Sequence, residues 1–261
     1  MISNPVIDAM MNRKSIRRFT EEMPSDEIVE TLVRAGQQAP FAAQLGSLVV
    51  SRDASRHPFH APLLFTVLVD VCRLEAVIGA HGWSWVTSDA ATLLFGLQDA
   101  CYMTENVIIA AESLGLGSCL LGGTAFRAKA IAEEQGLPPR VFPFVRLAVG
   151  YPDEDPPPRP RYPRSASCYE GRYVALEGDA LCAAMRVMDD GYLAQDYYRR
   201  LNARIPLEDG REDTVPDASY SWTEHMGRKW GQWLRDAEDL LGPLRACGFD
   251  LSGGRDPRDE G

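Results

Sequence analysis

Little in this chain suits it to nucleic acid or to a membrane. Only three residues, Lys14, Lys129 and Lys229, are lysine, and 27 cationic residues face 37 acidic ones for a formal net charge of −10. Such an acidic surface argues against a nucleic-acid or anionic-lipid partner, while a small anion can still be held where positive charge is concentrated. No apolar run approaches the roughly 18 residues that a membrane span needs. Histidine is scarce, with four residues. His57 and His60 are interrupted by Pro58 and lack helical i, i+4 spacing, and His81 and His225 stand alone, so no metal site is expected. The six cysteines, Cys72, Cys101, Cys119, Cys168, Cys182 and Cys247, form no CxxC pair and read as reduced thiols. The opening stretch MISNPVIDAMMNRKSIRRF has its basic residues after the apolar ones and no signal-peptide core, which predicts a cytoplasmic protein. There is no GxxxxGKS/T phosphate loop, no GxSxG elbow and no HExxH. The stretch from Gly115 to Leu120 lacks the third glycine and the acidic partner of a dinucleotide fingerprint.

What is present is an ordinary globular composition: 261 residues, 45% hydrophobic and 25% charged. Folding at this length buries roughly 75% of the unfolded chain's surface, enough for a core without metals or disulfides. Asn4 before Pro5 starts a short helix that ends near Asn12, and Ser25-Asp26-Glu27 opens a second that stops at Ala39-Pro40. Leu48 to Val50 and Leu63 to Val71 read as strands, the second a nearly continuous apolar run as if covered on both faces. From Ser88 to Leu114, apolar residues recur at helical spacing over more than one stripe. This predicts a long helix buried on several sides, within the domain or against a partner subunit. Gly117 to Leu121, Phe126 to Gln135 and Val141 to Val149 form a strand–helix–strand step, for which the usual expectation is parallel neighbours.

Beyond Tyr151 the run PDEDPPPRPRYPR predicts an extended proline-rich arm. Ala175 to Leu201 and Ser221 to Cys247 read as helices. The second starts with a capping box of Ser221 and Glu224 and carries Met226, Trp230, Trp233 and Leu234 on one face. The expected division is a core over 1–164, a helical extension over 165–251 packing on the core or on a partner subunit, and a polar frayed tail over 252–261.

Two cationic clusters stand out from the acidic background: Arg13, Lys14, Arg17 and Arg18 around Ser15, and Arg159 with Arg161 in the proline arm. Arginine forks and a serine hydroxyl are groups that bind a phosphate dianion. The alternative is solvated surface charge paired with carboxylates. Leu121-Gly122-Gly123 ends a strand in two glycines, either a plain turn or a place where a ligand approaches the backbone. Trp222, Trp230 and Trp233 read either as packing or as the mouth of a substrate site.

Taken in order, RKSIRRF, RAGQQAPFAAQ, AAESLGLGSCLLGG and VGYPDEDPPPRPR resemble the FMN-dependent nitroreductase family. The likeness is nearer to its NADPH-linked, oxygen-insensitive nitroreductase and flavin-reductase branch, and it runs from about residue 8 to the tail. It implies an α+β fold with a mainly antiparallel central sheet flanked by helices and a helical C-terminal extension. It further implies a homodimer with FMN at two shared sites, the long helix and the extension supplying much of the interface. On this resemblance Arg13, Lys14 and Ser15 lie near the phosphate and ribityl chain of FMN. Arg17 reaches the pyrimidine edge and can stabilise negative charge there, and Arg159 and Arg161 close over the phosphate. Pro40 and Phe41 flank the ring, Gln44 faces the cofactor, and Leu121, Gly122 and Gly123 line the isoalloxazine.

The implied activity is ping-pong hydride transfer from NADPH or NADH through flavin N5 to a small electron-poor acceptor such as a nitroaromatic, a quinone or free flavin. No protein group other than the flavin is expected to carry the chemistry. Three departures bear on it. The segment SRDASRHPFHAP lacks the helix and the flavin-contacting glutamine that relatives insert there. The family's serine-rich flavin loop reads Pro40-Phe41-Ala42-Ala43. The loop 206–219 is acidic where the branch carries an arginine pair, which would repel a 2′-phosphate. Two alternatives therefore stay open: a specialised flavin enzyme catalysing dehydrogenation, reductive dehalogenation or flavin fragmentation, and a non-catalytic FMN-binding protein.

Overall fold

The computed structural model describes residues 2–232 and 236–251. Trp233, Leu234 and the 252–261 tail lie outside the described residues. The chain divides into two compact units, one of residues up to Pro156 together with those from Asp236 on, the other Pro157–Arg235.

The first unit is built on local signals. Helix α1 (Pro5–Asn12) is capped by the Asn4 side chain, which accepts from the N–H groups of Val6 and Ile7 at 3.0 and 2.9 Å. Helix α2 (Asp26–Gln37) is capped by Ser25, has Asp26 and Glu27 at its positive end, and buries Val29 and Leu32. Strands β1 (Gly46–Ser51) and β2 (Leu63–Asp70) follow, joined by two short 3-10 turns. Helix α3 (Cys72–Ala80), which periodicity did not reveal, buries none of its residues. Helix α4 (Asp89–Ser113) leads to β3 (Gly117–Leu121), α5 (Ala128–Gln135) and β4 (Val141–Gly150).

The sheet runs β1-β2-β4-β3, and every neighbouring pair is antiparallel. An α+β architecture with helices flanking an antiparallel sheet is thus present, but the parallel neighbours expected around α5 are not. Gly117 pairs with Gly150 and Leu121 with Arg146, so β4 returns against β3. The connection over 122–140 is long enough for a parallel crossover, so the direction is set by the ladder itself, in which β4 pairs antiparallel with both β2 and β3.

The apolar run of β2 is nonetheless covered on both sides. Leu63 and Phe65 pack with Val107 and Ile108 of α4, while Thr66, pointing the other way, accepts a hydrogen bond from Gln135 of α5 at 2.8 Å. Helix α4 buries Leu93, Ala100, Val107, Ile108 and Ala111, yet leaves Leu94, Phe95 and Tyr102 exposed on another side. Helix α9 (Glu238–Ala246), labelled in chain order after the three helices of the second unit, also belongs here. Beyond it Phe249 meets Phe142 edge-on, with ring centroids 6.4 Å apart.

The second unit holds the proline arm, α6 (Gly178–Ala194), α7 (Tyr197–Arg200) and α8 (Trp222–Gln232). The single helix expected over 175–201 is broken at Asp196, whose φ of 49° is left-handed. The helix expected from Ser221 to Cys247 is likewise two, α8 and α9, and these belong to different units. The predicted capping box does not form. The Ser221 hydroxyl donates to the Asp189 carbonyl, and the Asp189 carboxylate takes the N–H and hydroxyl of Thr223. Glu224 instead accepts from Arg228 at 2.7 Å. Trp222 is packing, edge-on to Tyr162 at 5.4 Å and stacked on Tyr192, whereas Trp230 is 78% exposed.

Candidate functional site

The first cationic cluster lies along edge strand β3. Past α1 the chain is extended: Ser15 bridges to Ser118, and the N–H of Ile16 donates to the Ser118 carbonyl at 2.9 Å. Gly117 makes this approach possible, since a Cβ there would sit 2.5 Å from Cγ1 of the buried Ile16. The acidic stretch after β4 folds onto the same segment. Lys14 pairs with Asp155, and Arg18 pairs with Asp153 at 3.1 Å. The Glu154 carboxylate accepts from the backbone N–H of Arg17 and of Arg18. Half of the cluster therefore meets the surface-charge alternative. Arg13 and Arg17 are different, because neither guanidinium has a carboxylate within ion-pairing distance among the described residues. Their field is still felt inside: burial pushes the Glu112 carboxyl up, and Arg13 and Lys14 oppose that rise. Burial likewise raises the Cys119 thiol, opposed by Arg17 and Arg13.

Leu121, Gly122 and Gly123 end the same strand. The Thr124 hydroxyl closes the turn by donating to the Leu121 carbonyl at 2.7 Å. A Cβ at Gly122 or Gly123 would meet no atom within 4 Å, so the backbone there faces open space. The basic cluster and the glycine turn thus share one sheet edge.

Pro40, Phe41 and Gln44 lie at the other edge, in the loop that enters β1. They line a cleft of about 480 Å³ together with Arg73, Asp99 and Met103. Phe41 is 55% exposed. The two groups are separated in one chain by the width of a four-stranded sheet, about 14 Å across three strand spacings.

Arg159 and Arg161 belong to the second unit. The Arg159 guanidinium sits 4.0 Å from the centroid of the Tyr197 ring and donates to Gln195 at 2.8 Å. Arg161 turns back on its own arm, donating to the carbonyls of Arg159 and Pro160 at 2.9 and 3.1 Å. The acidic loop over 206–219 is less repulsive than its composition indicates. Asp213 bonds both Arg228 and Arg204, which hold its carboxyl far below the usual range, and Asp217 pairs with Arg204. Charge spent on these arginines does not confront an incoming phosphate.

The remaining candidates are structural. His57 is buried, with both ring nitrogens engaged, by the Ala61 carbonyl and the Ser51 hydroxyl. Among the described residues no group of acids, histidines and cysteines could hold a metal, and no helix is long and apolar enough to cross a membrane. The six cysteines are free thiols. Sequence reasoning missed Asp99, Arg73 and Glu154. For Asp99 the signal was available: it is the one acid among the buried positions of α4.

Residues 51–151 match the profile of the Nitroreductase family. The FMN reductase (NADPH) of Bacillus subtilis is 27% identical over 244 residues, spanning 87% of this chain and 94% of its own length. An NADPH-dependent oxidoreductase of Staphylococcus haemolyticus is 31% identical over 179 residues, 62% of this chain and 71% of its own. A solved structure of a B. subtilis nitroreductase superposes with a TM-score of 0.75 at 25% identity, covering 94% of this chain and 98% of that one. On this likeness in sequence and in fold, the chain belongs to the nitroreductase family.

Proposed function

We propose that this chain works as a cytoplasmic, homodimeric FMN-dependent oxidoreductase. It passes hydride from NADPH or NADH to a small electron-poor acceptor, a nitroaromatic, a quinone or free flavin, by a ping-pong mechanism. The observation that carries this reading is the placing, along one sheet edge, of two arginines without carboxylate partners among the described residues and an open diglycine turn. That donor set fits FMN: Arg13, Lys14 and Ser15 would offer charge and a hydroxyl to the phosphate end, Arg17 would serve the pyrimidine edge, and the backbone of Leu121, Gly122 and Gly123 would line the isoalloxazine. Arg159 and Arg161 are the proposed second cover of the phosphate.

FMN, when bound, supplies an N5 that accepts and gives up hydride. The protein's part is to bind, orient and exclude water. Pro40, Phe41 and Gln44 lie at the opposite sheet edge, so they complete a flavin site most simply by coming from a second copy. The exposed Leu94, Phe95 and Tyr102 of α4 and the exposed Val6, Met10 and Met11 of α1 supply the apolar area such a dimer needs. Pairing of Asp213 and Asp217 with Arg204 and Arg228 reduces the acidity of the 206–219 loop, and NADPH is the donor in the names of the relatives.

The test is the visible spectrum of the purified protein, release and identification of its chromophore, and anaerobic addition of each nicotinamide. Bound FMN bleached faster by NADPH supports the reading. A colourless protein that cannot be reconstituted with FMN overturns it.

A further inference from the structure

We infer that Asp99, assisted by Arg73, is the positioning residue of the flavin-flanking loop, an inference that rests on the FMN reading above. Asp99 is 3% exposed on α4, more than fifty residues from the loop in sequence. Its carboxylate accepts three backbone hydrogen bonds: from the N–H of Ala42 at 2.6 Å, of Ala43 at 3.1 Å and of Leu45 at 2.8 Å. Gln44, the residue skipped, has a left-handed φ of 53°, a conformation that a non-glycine residue holds only when its surroundings impose it.

The imposition is two-sided. Where Asp99 takes the amide protons, Arg73 takes the carbonyls: its Nη2 donates to the Gln44 carbonyl at 2.5 Å and to that of Gly46 at 3.3 Å, and its Nη1 to the Ser47 hydroxyl at 3.1 Å. An anion on one side and a cation on the other thus fix the peptide dipoles of residues 42–46. That fixes in turn where Phe41 and Gln44 meet the cleft. The departure of this loop from a serine-rich pattern sharpens the point. Ala42 and Ala43 have no hydroxyls with which to organise the turn, so its order comes from outside it.

Asp99→Asn keeps the size of the side chain but replaces an oxygen with an NH2 group, which cannot accept from an amide. Three measurements on the holoenzyme test the idea: hydrogen exchange of the 42–45 amides, FMN affinity by fluorescence quenching, and a double-mutant cycle with Gln44→Ala. We expect faster exchange confined to the loop, FMN affinity lowered about tenfold, and a cycle that is far from additive because both changes act through one loop. Arg73→Gln, at a half-exposed position tolerant of change, should reproduce the effect more weakly. Unchanged loop exchange, or additive losses, would overturn the inference, because a merely stabilising Asp99 lowers the melting temperature without coupling to Gln44. Wild-type protein that binds FMN while Asp99→Asn binds it equally well removes the positioning role alone. Wild-type protein that binds no FMN removes both this inference and the proposed function.

Discussion

Glu154 accepts a hydrogen bond from the backbone N–H of Arg17 at 2.5 Å, and the same oxygen accepts from Arg18 at 3.2 Å. An acid more than a hundred residues away thereby sets the backbone on which the basic cluster is displayed. Glu154→Ala leaves two amide donors without their partner, and the expected loss is about 1 kcal/mol of stability. Chemical denaturation of the apoprotein measures it. Glu154→Gln, which retains an acceptor, should lose less.

The pairing pattern ranks the cations. Among the described residues Arg13 and Arg17 have no carboxylate within pairing distance, whereas Lys14 is shared with Asp155. Replacing either arginine with alanine should weaken FMN binding by about 1.5 to 3 kcal/mol, the range for a charge-assisted bond. Lys14→Ala should cost less, since Asp155 is freed at the same time. Titration of apoprotein with FMN gives the order, and a Lys14 loss larger than both arginine losses contradicts it.

The two arginines of the proline arm should part company. Arg159 is held by Tyr197 and Gln195, so Arg159→Ala should lower the stability of the second unit by about 1 to 2 kcal/mol. Among the described residues Arg161 bonds backbone carbonyls of its own arm. Arg161→Ala should leave stability nearly unchanged and weaken FMN binding by about 2 kcal/mol. Equal flavin affinity in that variant removes the arm from the site.

Acid should open the second unit through Asp213. Arg228 and Arg204 hold its carboxyl well below its unfolded value, so the unfolded chain binds the proton first. The stabilisation is complete above the unfolded carboxylate range, about pH 4, and is lost as pH falls from there toward the depressed folded value. Thermal melts between pH 6 and pH 2 should show that decline. Asp213→Asn should start less stable and show a smaller slope.

Features with local causes were legible in the sequence. Asn4 with Pro5 and Ser25 with Asp26 mark helix starts because capping needs only neighbours, and the largely apolar run of β2 announced a strand covered twice. The basic segment, the diglycine turn and the Phe41 loop stand out in the sequence because each is a contiguous run of unusual residues. What was hidden depends on distant partners. The Ser221–Glu224 box was displaced because the Asp189 carbonyl takes the Ser221 hydroxyl and Arg228 takes the Glu224 carboxylate. The direction of β4 depends on its pairing with β2 and β3, which local composition does not encode. The pairing of Asp213 and Asp217 in the acidic 206–219 loop with Arg204 and Arg228 is likewise hidden from composition.

The opposed placement of the Arg13–Arg17 segment and the Phe41 loop on the two rims of one sheet has a genetic consequence. If each centre borrows its loop from the neighbouring copy, damage to either rim silences both centres of a pure dimer. Mixing a variant crippled at Arg17 with one crippled at Phe41 then reassembles, within the hybrid, one centre carrying both lesions and one carrying neither. Two inactive preparations should regain activity on subunit exchange, up to about half of one intact dimer's worth per hybrid, and the arithmetic of that recovery reads out which copy each rim serves.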